Sequence, residues 1–99
     1  MVKHIIIWNF KEELSSAVRK DYAAKIKSGL EGLAGKIDGL LDIKVVTEFL
    51  DSSNGDMMLD AAFSDEKALQ AYQVNPEHLK TAQIVRSVVC SRKCVDYTV

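Results

Sequence analysis

Tyr72 and the run Asn75-Pro76-Glu77-His78 carry the clearest chemical potential in this chain. A histidine titrates near neutrality and can take a proton from carbon or oxygen beside a carbonyl. A tyrosine hydroxyl can hydrogen-bond the enolate that results, or orient the compound that gives rise to it. The run also reads as a helix start, because Asn is a favoured N-cap and Pro fits the first helical position. His78 then falls in the first turn, at the positive end of the helix dipole, where a cationic imidazole is disfavoured. The spacing predicts a histidine that stays neutral near neutral pH and accepts a proton. The same residues also make sense without any chemistry. His78 would then bond a backbone carbonyl or a partner chain, and Tyr72 would be a core aromatic with a buried acceptor for its hydroxyl.

Other chemistries find little support. No glycine-rich phosphate loop is present, no serine sits in a nucleophile motif, and His4 and His78 give no zinc spacing. No metal and no organic cofactor are expected. Cys90 and Cys94 fall in a segment that reads as a strand, where four residues span ~13 Å. A disulfide needs Cα atoms within about 7 Å, so free thiols in a reducing compartment are expected. A net charge of -1 gives no general attraction to phosphate backbones, which argues against nucleic acid. The apolar run Ile5-Ile6-Ile7-Trp8 stops at Asn9, and no stretch approaches the ~20 apolar residues of a membrane span. A soluble cytoplasmic protein of one domain, residues 1–99, is expected.

The elements that must hold Tyr72 and His78 follow from hydrophobic period. Lys3 to Phe10 reads as a strand, with His4, Ile6, Trp8 and Phe10 on one side and Ile5, Ile7 and Asn9 on the other. Helical period begins at Ser16, with Leu14, Val18, Tyr22, Ile26, Leu30 and Leu33 as its apolar stripe. Gly32, Gly35 and Gly39 end it. Leu41 to Leu50 reads as a second strand, the cluster from Asp51 to Asp56 as a turn, and Met57 to Phe63 as a third strand antiparallel to it. Ser64 is the expected cap of a second helix, whose buried side holds Ala68, Leu69 and Tyr72. A third, short helix from Asn75 carries Leu79, Ala82 and Val85, and Val88 to Tyr97 is the last strand.

This order is the α+β, ferredoxin-like βαββαβ arrangement, with helices on one face of a four-stranded antiparallel sheet. Apolar residues nevertheless occur on both sides of the strands, with Val46, Met58, Val89 and Val95 opposite other apolar sets. Leaving such a face in water costs about 25 cal/mol per Å². A second copy packed sheet to sheet would cover it, so a symmetric homodimer is expected.

The chain resembles the stress-responsive dimeric α/β-barrel proteins in three places. These are the opening His4-Ile5-Ile6-Ile7-Trp8-Asn9-Phe10, the run Ala71-Tyr72-Gln73-Val74-Asn75-Pro76-Glu77-His78, and the closing strand from Arg92 through Asp96-Tyr97. The second of these is the most specific. The resemblance covers essentially the whole chain and implies a ferredoxin-like monomer, two of which join through their sheets into a barrel. Family function is not uniform. A plant member is a polyketide cyclase whose pocket uses the motif tyrosine and histidine, roles that would fall on Tyr72 and His78. A first-strand histidine also lines that pocket, and His4 matches it.

Two functions follow. The first is a dimer with a small apolar pocket, taking an apolar or aromatic ligand and serving in stress physiology. The second is a cofactor-free cyclase or isomerase of polyketide-like carbonyl compounds, with His78 as general base and Tyr72 as orienting donor. In either case His4, Ile6, Trp8 and Tyr22 are the expected ligand contacts, with Val18, Leu59 and Phe63 completing the cavity.

Overall fold

Strict alternation along the first strand decides which side faces the core. In the computed structural model, which describes residues 1–99, β1 (Val2–Phe10) buries Val2, His4, Ile6, Trp8 and Phe10 and turns Lys3, Ile5, Ile7 and Asn9 the other way. Each large apolar side chain so buried contributes about 1.5–3 kcal/mol. The remaining elements are α1 (Ser16–Glu31), β2 (Leu40–Val46), β3 (Met57–Phe63), α2 (Glu66–Val74), α3 (Pro76–Val88) and β4 (Val89–Thr98). The strands form one antiparallel sheet in the order β2-β3-β1-β4. This is the ferredoxin-like arrangement expected from the element order.

The second strand is shorter than expected. It stops at Val46, which pairs with Met58, and residues 47–56 form the connection to β3. Residues 47–50 have nothing to pair with, because Asp56 is drawn away to the end of β1. Its backbone N–H donates to Trp8 O (3.0 Å), and its carboxylate accepts from the Phe10 N–H (2.8 Å). Phe49 and Leu50 are exposed as a result.

Helix α1 is capped by Ser15, whose Oγ accepts from the Val18 N–H (3.2 Å). Its expected stripe is buried only in the C-terminal half, at Ile26, Leu30 and the following Leu33, while Tyr22 is half-buried and Val18 exposed. The half that packs is the half that meets α3. A Cβ on Gly29 would come within 2.5 Å of Thr81 Oγ1, so the bare glycine lets the two helices touch there. The same helix covers the outer edge of β2. Lys27 Nζ donates to Val45 O (2.7 Å), and the Val45 N–H donates to Glu31 Oε2 (2.9 Å). These bonds hold the Glu31 carboxyl below the usual carboxylate range, first through Lys27 and then through the Val45 backbone.

Asp65, not Ser64, caps α2, its carboxylate accepting from the Ala68 N–H (2.8 Å). The Ser64 N–H is committed to Gly39 O (2.8 Å), which holds Ser64 in the preceding connection. The third helix is longer than expected and buries Thr81, Val85 and Val88, one face round from the Leu79, Ala82 and Val85 set. The side of the sheet away from the helices carries exposed Ile7, Val95 and Tyr97 and half-buried Ile5, Val46 and Met58. Val89 instead faces the helix side, beyond a register shift at Asn9 and Phe10. No helix is long and apolar enough to cross a membrane.

Candidate functional site

A single residue joins the two helices that carry the candidate pair. Asn75 ends α2, its N–H donating to Tyr72 O (3.1 Å), and begins α3, its Oδ1 accepting from the Glu77 N–H (2.9 Å). Tyr72 lies in the last turn of α2 and His78 in the first turn of α3. This joint stacks their rings at a centroid distance of 4.2 Å and an interplanar angle of 39°. Phe63 supports the tyrosine from behind at 4.9 Å, and His4 meets its edge at 6.1 Å.

Tyr72, His78 and His4 line the closed end of a cavity of about 400 Å³ between the sheet and the helices. Ile6, Trp8, Leu30 and Leu59 form its apolar walls. Along α3, His78, Leu79, Ala82, Val85 and Arg86 line it at helical spacing. Gln73, Arg86 and Arg92 are exposed and mark the open end.

Two polar atoms at the closed end are buried without a hydrogen-bond partner: Tyr72 Oη and His78 Nδ1. Such an atom costs about 1–3 kcal/mol relative to a satisfied one. Burial pushes the Tyr72 hydroxyl well above its usual range, so it stays protonated and is able to donate a hydrogen bond. Burial also lowers the proton affinity of His78, and the charges of His4, Arg86 and Arg92 add to the effect while the Gln73 backbone opposes it. The direction matches the one expected from the helix start, but burial is its leading cause.

His4 differs in kind. It is almost wholly buried, and its Nδ1 donates to Asp96 Oδ1, a contact made possible because β4 pairs His4 with Asp96. Cys94 Sγ lies 3.9 Å from His4 Nδ1 and 3.5 Å from Asp96 Oδ1. The three ligand atoms fall within 4.8 Å of one another, close enough for one metal ion. Cys94 and Asp96 are both exposed, and the Asp96 carboxylate already satisfies His4. The cluster therefore fixes the orientation of the imidazole.

Of the residues singled out in the sequence, His4, Ile6, Trp8, Leu59, Tyr72 and His78 come together at this cavity. Tyr22, Val18 and Phe63 do not line it. Tyr22 and Val18 belong to the half of α1 that leaves the core, and Phe63 sits behind Tyr72. Leu30, Arg86, Arg92 and Asp96 were not foreseen. Leu30 already lay on the apolar stripe of α1. Arg86 follows Val85 on α3, while Arg92 and Asp96 become visible only once β4 is laid beside β1.

A ferredoxin-like sheet with a cavity beneath paired helices defines an α/β-barrel class of domain. The chain belongs to the stress responsive A/B barrel domain family, whose pattern matches residues 2–99. No curated protein sequence matches it. Among solved structures it is similar to a dimeric protein of unknown function from Bacteroides fragilis, with 25% identity, TM-score 0.91, and coverage of 97% of this chain and 93% of that one. A dimeric ferredoxin-like protein of unknown function from Thermobifida fusca gives 20% identity and TM-score 0.84, covering 99% and 90%. The hydroxynitrile lyase of Passiflora edulis gives 15% identity and TM-score 0.72, covering 97% and 90%.

Proposed function

We propose that this protein is a homodimer in which each subunit receives a small apolar carbonyl compound and moves a proton on it without a cofactor. One observation carries the reading: Tyr72 Oη and His78 Nδ1 are neighbours at the closed end of a cavity, and both lack a partner. A carbonyl compound satisfies both. Its oxygen accepts from the Tyr72 hydroxyl, and a proton on the adjacent carbon passes to His78 Nδ1. The electron pair left behind moves onto the carbonyl oxygen as an enolate, held by the tyrosine. Returning the proton at another atom completes an isomerisation. Attack of the enolate carbon on a second carbonyl, whose oxygen then takes the proton back from His78, completes a ring closure.

The depressed proton affinity of His78 supports the role of base, since the imidazole is neutral at neutral pH. His4, locked by Asp96, serves as a fixed polar wall, and Ile6 and Trp8 shape the apolar one. The similarity to a hydroxynitrile lyase at 15% identity concerns the fold alone. The dimer is supported by the exposed Ile7, Val95 and Tyr97 on the uncovered sheet face, and by the dimeric state of the similar bacterial proteins. The exposed free thiols of Cys90 and Cys94 suit a reducing cytoplasm.

Deuterium exchange tests the chemistry without knowledge of the natural substrate. A panel of aryl alkyl ketones in heavy water, followed by proton NMR, should lose signal beside the carbonyl faster with enzyme than with buffer. His78→Ala should remove about 100-fold or more of that acceleration. Ketones that raise the thermal midpoint yet exchange no faster than in buffer would leave a binding protein and no enzyme. Light scattering that reports a lone 11.0 kDa particle at micromolar concentration would remove the dimer.

A further inference from the structure

The open end of the cavity is positively charged. Arg86 and Arg92 both line it, and no Asp or Glu does. Neither arginine takes part in an ion pair, whereas the third arginine of the chain, Arg19, has Asp56. The protein as a whole is slightly acidic, at net charge -1, so two unmatched guanidiniums at one opening are not a general surplus of base. They also come from different elements. Arg86 lies on α3, and Arg92 lies on β4 opposite Trp8 in the register with β1. Sheet pairing and helix packing have to agree to bring them to one rim.

We propose that the cavity binds an amphipathic carboxylate, with its anionic head on Arg86 and Arg92 and its apolar, carbonyl-bearing body extending inward to Tyr72 and His78. Guanidinium is the side chain best suited to a carboxylate, because its planar fork of donors matches the two oxygens. The apolar walls between the two ends reject a ligand that is polar throughout. Length is fixed as well. Eight residues of α3 separate His78 from Arg86, a rise of roughly 12 Å at 1.5 Å per residue. A chain of several carbons between head and reacting carbonyl spans that rise. This deepens the reading of the same cavity as a carbonyl site and rests on it.

Matched probes test the proposal: δ-benzoylvalerate, an aryl ketone with a remote carboxylate, and its neutral methyl ester. Calorimetric affinity should favour the acid over the ester by about tenfold or more in the unaltered protein, the scale of a charge-assisted hydrogen bond. The double variant Arg86→Gln/Arg92→Gln should erase that preference while holding ester affinity within about threefold. Both side chains are exposed, so the variant should keep its thermal midpoint. Arg86→Lys with Arg92→Lys should retain part of the preference. Acid and ester binding alike, or an acid affinity indifferent to the double variant, overturns the carboxylate and leaves the carbonyl site standing. Failure of both probes to bind overturns the two readings together.

Discussion

His4 and His78 line one cavity, and their surroundings could hardly differ more. His4 sits mid-strand, nearly inaccessible to water, with Asp96 holding its Nδ1. His78 opens a helix with its Nδ1 buried and unpartnered. At His4 the Nδ1 is committed to Asp96, so that atom serves the fold by fixing the ring. A residue that the fold buries and leaves incomplete retains its hydrogen-bonding capacity for something else. The strand pairing that completes His4 and the helix joint that isolates His78 are the two devices that create the difference.

Substitutions can break this contrast. The largest effect expected is on turnover: His78→Ala should cut deuterium exchange by about 100-fold or more, with little loss of thermal stability. His4→Ala should do the reverse. It removes a buried ring and strips Asp96 of its partner, for a loss of about 2–4 kcal/mol in a urea titration. Should His4→Ala prove harmless to folding, the contrast drawn here fails. Tyr72→Phe deletes an unsatisfied hydroxyl from a site with no acceptor. It should slow exchange by about tenfold or more while leaving stability unchanged or raised by up to about 1 kcal/mol.

The smallest effect is in pH. Because the folded state holds His78 below its unfolded value of 6.5, the unfolded chain binds more protons in the window between the two. Stability should therefore decline as pH falls through 6.5, and His78→Gln should flatten that decline. Glu31 contributes a separate loss, with the same sign, only as pH falls below its unfolded 4.5. Urea midpoints at about pH 7.5 and about pH 5.5 isolate the histidine contribution.

Much of this was legible in the residues themselves. The ends of β3, the start of α1 and the cap at Asn75 are local matters of period and side-chain type, and the Tyr72–His78 pair follows from that cap. What was hidden depends on distant partners. The strand reading of residues 47–50 failed because Asp56 bonds to β1 and leaves them no neighbour. Ser64 and Asp65 are both good caps, and only the bond from Ser64 to Gly39 decides between them. Tyr22 shares the apolar stripe of α1 with Leu30, yet only Leu30 reaches the cavity, since contact at Gly29 and Thr81 sets where the helix approaches. Arg92 and Asp96 gain their significance from register with Trp8 and His4, which no local pattern encodes.

The bonds from Lys27 and Glu31 to Val45 bear on how copies of this protein meet. They occupy backbone groups that would otherwise welcome a foreign strand. One border of the sheet is thereby closed at Val45. The proposed pair therefore forms through the uncovered sheet face with Ile7, Val95 and Tyr97, and not by adding strands at this border.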